Sequence, residues 1–214
     1  MPIKNSLLQR FMELSQVRRT IARLKDEGSY ARAQAVLADA FVRHTGSDSR
    51  LLHALPTEQL IALLRTAELF DADRGLLIAL LLYSEAELLA AQGEDDTAGA
   101  HKALQLMLEA FATDPELAAA YQEELERLVR YLDEASLSAP LLRRLVSHYL
   151  RVGRWAKADD LLYLLTTLPH RSPETLRLAE QVYRELLNLD DDLLAAGGLP
   201  REEVAESLAQ LRLP

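Results

Sequence analysis

The sequence predicts an all-α chain built from antiparallel helix pairs, and three observations carry that expectation. Leucine (47) and alanine (31) dominate the composition whereas valine and isoleucine together number 12, a balance that favours helix over strand, so essentially no sheet is expected. The segment Gly28-Ser-Tyr30-Ala-Arg-Ala33 is echoed 125 positions later by Gly153-Arg-Trp155-Ala-Lys-Ala158, and both copies lie between amphipathic stretches. Prolines and glycines fall at the ends of the periodic stretches rather than inside them. In each echo the glycine lets the chain leave one helix, the aromatic two positions on plugs the gap between two helices, and the alanine three further lets their backbones approach. Gly28, Tyr30, Ala33, Gly153, Trp155 and Ala158 are therefore read as structural junctions.

Each element follows from the apolar period. Leu7, Phe11, Leu14, Val17, Ile21 and Leu24 recur at steps of three and four, predicting a helix over about 6–27 that stops at Gly28. Tyr30, Ala33, Val36, Leu37, Ala40 and Phe41 continue the pattern to about His44, where Gly46, Ser47 and Asp48 break it. Two short helices are expected at about 49–54 and 57–66, separated by Pro56. A long helix from about Asp73 to Gln92 is nearly all apolar in its first half and is expected at the centre of the fold. Asp96 or Thr97 would cap a helix reaching about Ala112, and Asp114-Pro115-Glu116 opens a seventh to about Glu134. Ser138 and Pro140 open the next, to Arg151. Further helices are expected at about 154–168, from Ser172 to about Leu189, and from Pro200 to about Arg212, with Asp190–Asp192 as an acidic connection into Gly197-Gly198.

With 214 residues the chain is long enough to bury roughly 70% of its unfolded surface, and we read it as a single helical repeat-like domain over 1–214. It has no cysteine, which removes disulfides, thiolate catalysis and sulfur-ligated zinc and fits a reducing compartment. The start Met-Pro-Ile-Lys-Asn-Ser lacks the apolar core of a secretory signal, so a cytoplasmic location is expected. The longest apolar run, Leu76 to Tyr83, is far shorter than the ~18 residues of a membrane span and reads as a buried helix segment. A net charge of −9 speaks against nucleic acid as partner, since phosphate contacts need a concentrated basic surface. Residues 1–25 nevertheless carry +5, leaving −14 for the rest. These cations scatter round the helical wheel instead of forming a membrane-binding stripe, so a basic first helix lying against an acidic body is expected and membrane binding is not.

The six-residue echo, with the small and apolar positions that follow it, resembles the helix-turn-helix junction of a tetratricopeptide repeat. Leu37 and Ala40 follow Ala33 at the intervals such repeats use, Leu162 and Leu165 follow Ala158, and Pro169 stands near the usual terminating proline. Ala103, Met107 and Ala110 make a middle unit ended by Pro115, its turn lengthened after Gly93 and without the aromatic. The resemblance implies tetratricopeptide-like antiparallel pairs in a short irregular right-handed α-solenoid. The order of Gly28–Ala33, Leu51-Leu52 with Leu60 to Leu64, Gly153–Leu161 and Ala195–Val204 further resembles an uncharacterised bacterial family of tetratricopeptide-like all-helical proteins, a domain of unknown function. That resemblance implies a fold and a bacterial cytoplasmic origin, and it brings no activity.

In tetratricopeptide repeats the groove-facing side chains lie about ten, six and three residues before the junction glycine. Carried over, this selects Arg18, Ala22 and Lys25 in the first unit and Arg143, Ser147 and Leu150 in the third. Arg18, Lys25, Arg143 and Ser147 are the candidate binding residues, for an unknown protein or acidic peptide, because arginine can pair a carboxylate through two parallel hydrogen bonds. The alternative is that these cations are solvated or pair internally. No catalytic residues, metal or cofactors are expected. The five histidines show no i, i+4 metal pair, and Glu85, Glu87, Glu109, Glu123, Glu124 and Glu126 read as solvated helix faces. His148 reads as a packing residue, His44 and His170 as helix-end residues facing the dipole's negative end. Function is thus read as a non-enzymatic binding or scaffold module. The alternative is a self-associating homodimer, and a carboxylate-based hydrolase is a remote third.

Overall fold

The computed structural model describes residues 2–67, 69–167 and 171–211, with side chains described from residue 9 onward. The expectations placed on Pro169, His170 and Arg212 lie outside the described residues. The chain is all-α, with thirteen α-helices and one 3-10 turn among the described residues. It divides into two compact units, one running to Leu132 and one beginning at Asp133. No helix among the described residues is long and apolar enough to cross a membrane.

In the first unit, α1 (Pro2–Asp26) and α2 (Tyr30–Thr45) pack side by side, and α2 packs in turn on α5 (Ala72–Ala91). After Asp73 and Arg74 the first half of α5 is apolar, and residues 75–84 are all buried, which makes it the centre of this unit. Its other flank is covered by α6 (Thr97–Thr113), held at its start by Asp96, whose carboxylate accepts the Gly99 N–H at 3.0 Å. Between α2 and α5 run α3 (Ser49–Ala54), α4 (Thr57–Leu63) and a two-residue antiparallel ladder, Arg65–Thr66 (β1) with Leu69–Phe70 (β2). This ladder is the sole strand pairing among the described residues, at a place where a helix to about residue 66 was expected.

The expected seventh helix is two. α7 (Pro115–Ala120) ends at Tyr121, whose φ of −118° and ψ of 20° are not helical, and α8 (Gln122–Leu132) restarts after it. The Tyr121 ring packs on Phe11 of α1, 5.5 Å between centroids, so the break coincides with a tertiary contact in a stretch with no local breaker.

In the second unit α9 (Ala139–Arg151) pairs with α10 (Trp155–Thr167), and α11 (Pro173–Leu186) with α13 (Arg201–Gln210). The acidic stretch expected as a connection is the first turn of a short helix, α12 (Asp191–Ala196), where carboxylates suit the positive end of the dipole.

The echoed glycines close their helices by one device. At Gly28 (φ +69°) the Ser29 N–H reaches back to the Leu24 carbonyl at 2.8 Å, and the Gly28 N–H to Lys25 at 2.9 Å. At Gly153 (φ +73°) Arg154 bonds Tyr149 at 2.9 Å, and Gly153 bonds Leu150 at 3.3 Å. This crossed pair is the Schellman ending, which needs the left-handed backbone that glycine adopts without a Cβ penalty. The same pair recurs after α5 at Gly93, bonded to Ala90 with Glu94 bonded to Leu89, so the middle junction shares the geometry although its sequence departs from the echo. Ala33 and Ala158 are fully buried beside their junctions. Trp155 does not lie between α9 and α10 alone: the Gly197 backbone after α12 presses on its indole, where an added Cβ would stand 2.3 Å from Cε3. Tyr30 is half-buried.

Candidate functional site

Three helices of the first unit wall a cleft of about 360 Å³ lined by Arg18, Arg19, Ala22 and Lys25 of α1, Ser84 and Glu87 of α5, and Glu124 and Arg127 of α8. Four cations against two carboxylates give it positive charge in a chain of net −9. All three α1 positions selected by the junction spacing, Arg18, Ala22 and Lys25, line this cleft.

Arg18 is its organised centre. The buried Ser84 hydroxyl donates to the Leu80 carbonyl at 2.9 Å, which leaves its oxygen lone pairs to accept the Arg18 Nε–H at 3.2 Å. The guanidinium is therefore held by its inner nitrogen while the outer fork stays available. Its nearest counter-charge is Glu124, with Oε1 3.7 Å from Nη1, too long for a hydrogen bond. Arg19 donates to the Ser15 carbonyl of its own helix at 3.3 Å, and Arg127 to Glu123 at 3.3 Å. Burial, with the Glu87 carboxylate nearby, pushes the Tyr83 phenol's pKa well up, so the tyrosine stays protonated.

Arg143 and Ser147 belong to α9 of the second unit and do not line this cleft. Arg143 Nη2 donates to Thr175 Oγ1 at 2.9 Å, and Ser147 Oγ to the Arg143 carbonyl at 3.0 Å. The first bond ties α9 to α11, where Thr175 is buried at the start of α11, and the second stays within α9.

A second ionic group escaped the sequence reading. Lys102 of α6 is buried, and its ammonium donates to the carbonyls of Leu52, His53 and Leu55 at 2.6, 2.9 and 2.6 Å, closing the C-terminus of α3 with a positive charge. Burial lowers its pKa. Beside it His53 Nε2 lies 3.0 Å from Glu85 Oε2 and 3.8 Å from Asp96 Oδ2. The Glu85 hydrogen bond raises the His53 pKa against the opposing effect of burial. Gly99 gives this imidazole room, since a Cβ there would approach His53 Cε1 to 2.7 Å. Glu85, Glu109 and Glu124 are thus half-buried ion-pair partners of His53, Arg65 and Arg18, which corrects their reading as solvated faces. His44 is likewise corrected: it is buried in the last turn of α2, and burial lowers its pKa, favouring the neutral ring over a charge for the dipole. His148 is buried with its ring 5.4 Å from Tyr149, as a packing residue.

Among the described residues no group of three or more histidine, aspartate or glutamate side chains converges as a metal site. No curated protein matches the chain. No solved structure matches it either. A family model described as a family of unknown function, DUF6483, matches residues 66–213, well over half of the chain, and the protein belongs to that family.

Proposed function

We propose that the protein is a non-enzymatic binding or scaffold module, built of tetratricopeptide-like helix pairs, whose first-unit cleft grips an acidic segment of a protein partner. The observation that supports this reading most is Arg18: a guanidinium fixed through Nε by Ser84, its outer fork without a hydrogen-bond acceptor, in a cleft with three further cations. A planar fork of that kind suits a carboxylate. Ala22 and the buried Ile21 and Leu88 add an apolar floor for the segment that carries it. The absence of cysteine fits a cytoplasmic setting for such a module.

Fluorescence anisotropy with a labelled hexaglutamate peptide tests the proposal. Arg18→Ala and Lys25→Ala are each expected to weaken binding, and Arg143→Ala measures whether the second unit takes part. Equal affinity in wild type and the Arg18→Ala, Lys25→Ala double variant would remove the cleft as the site. A second reading, self-association, is favoured by Leu63 at the end of α4 and Leu69 in β2, exposed by 67% and 73%. Light scattering of wild type and of Leu63→Ser, Leu69→Ser decides it.

A further inference from the structure

Glu124 occupies the ground that an acidic ligand's own carboxylate needs. It projects from the first turn of α8 across the cleft toward the outer nitrogens of Arg18, at 3.7 Å, and no hydrogen bond holds it among the described residues. The other acid of the cleft differs, because Glu87 of α5 makes no ion pair with Arg18 among the described residues. Arg18 is also unlike its partner in this pair, being tied to Ser84, so exchange at the fork moves Glu124 and leaves the guanidinium in place.

Resting on the cleft reading above, we propose that Glu124 is a built-in placeholder for the acidic ligand: it screens Arg18 in the empty cleft, and binding displaces it. Release is cheap for two reasons. The ion pair it gives up is long and partly hydrated, worth little in such a setting. The freed carboxylate also stays in the first turn of α8, where the positive end of the helix dipole favours it without Arg18. The ligand therefore exchanges one anion for another, and the affinity of the native cleft is the difference between two similar attractions. Glu124 thereby makes the site selective, since a weakly acidic segment that pairs Arg18 no better than Glu124 does gains nothing by entering.

Labelled hexaglutamate, titrated by anisotropy at low salt, tests this with four proteins: wild type, Glu124→Gln, Arg18→Ala, and the double variant. Glu124→Gln is expected to bind about two- to fivefold tighter, the size of one partly exposed ion pair. Arg18→Ala is expected to weaken binding, and adding Glu124→Gln to it to bring no further gain. If Glu124→Gln binds no tighter than wild type while Arg18→Ala still weakens binding, the placeholder is overturned and the cleft stands. The placeholder also falls if Glu124→Gln tightens binding equally with and without Arg18, because the gain is then bulk charge. Should neither wild type nor Glu124→Gln bind, the cleft reading and the placeholder fall together. A matching melting temperature shows that Glu124→Gln remains folded.

Discussion

Replacing Gly197 by alanine isolates a single steric contact in the second unit. Gly197 sits at φ −82°, ψ 3°, a conformation open to any residue, so the substitution brings no backbone strain of its own. What it brings is a methyl group 2.3 Å from Trp155 Cε3, 2.8 Å from Cδ2 and 2.9 Å from the Gly153 carbonyl oxygen. Ordinary contact needs about 3.5–4 Å, so the indole or the α12–α13 turn must shift by more than an ångström. Retreat of the turn also stretches the bond from the Ala156 N–H to the Gly197 carbonyl, now 3.2 Å. Overpacking of this kind costs about 1–3 kcal/mol. For a chain of this size a loss near 2 kcal/mol lowers the melting temperature by about 4–8 °C. Calorimetry of wild type, Gly197→Ala, Trp155→Leu and the double variant provides the cycle. Alanine at 197 should cost less once the indole is gone, the remainder coming from the 2.9 Å approach to the Gly153 carbonyl, and the difference is a coupling of about 1–2 kcal/mol. A wild-type melting temperature for Gly197→Ala, or an equal loss in the Trp155→Leu background, would refute the contact as the cause.

Further outcomes follow from the ionic groups and the junctions. His53 has a folded pKa above its unfolded value, so its bond to Glu85 contributes stability that is full below about pH 6.5 and is lost as pH rises through the raised value. The difference in melting temperature between wild type and Glu85→Gln should therefore shrink with rising pH in that window, and a constant difference from pH 5 to 9 would disprove the linkage. His44 acts with the opposite sign, its lowered pKa removing stability as pH falls, but it is common to both proteins and cancels in the difference. Lys102→Met leaves three carbonyls at the end of α3 without their donor and is expected to destabilise by about 1–3 kcal/mol in urea unfolding; stabilisation would mean that desolvating the ammonium outweighs its bonds. Trp155→Ala should cost less than the ~3–5 kcal/mol of a fully buried tryptophan, because the ring stays partly exposed, and thermal melts check it.

What could be read in advance was what local chemistry decides. Asp96, Asp114 and Ser172 cap the helices they were expected to open, at 3.0, 2.8 and 3.2 Å, because a side-chain oxygen and the N–H two or three residues on need no distant partner. Gly28 and Gly153 turn where the echo put them for the same reason. The break at Tyr121 was illegible: Ala-Ala-Ala-Tyr-Gln carries no breaker, and the contact that marks the position is with Phe11, far away in the chain. Lys102 looked like any cation on a helix, since its acceptors lie 47 to 50 residues earlier. Gly197 read as part of a turn, although its small size is needed for a ring 42 positions back. At the cleft, spacing alone brought Arg18, Ala22 and Lys25 to one wall, but Ser84, Glu124 and Arg127 come from other helices and had no local mark.

The two echoed glycines also expose an unused choice of handedness. Around Gly28 and Gly153 nothing stands within 4 Å of an added Cβ, so it is backbone torsion rather than room that keeps side chains out. A residue of mirror-image chirality has its preferred basin at that positive φ. L-alanine at either position would meet no neighbour and would still strain the turn, whereas D-alanine, introduced by chemical ligation, matches that φ and would narrow the unfolded chain's freedom. The junctions therefore hold glycine because every L side chain is disfavoured at that torsion, and a residue of the other hand is the one substitution whose backbone preference the turn already satisfies.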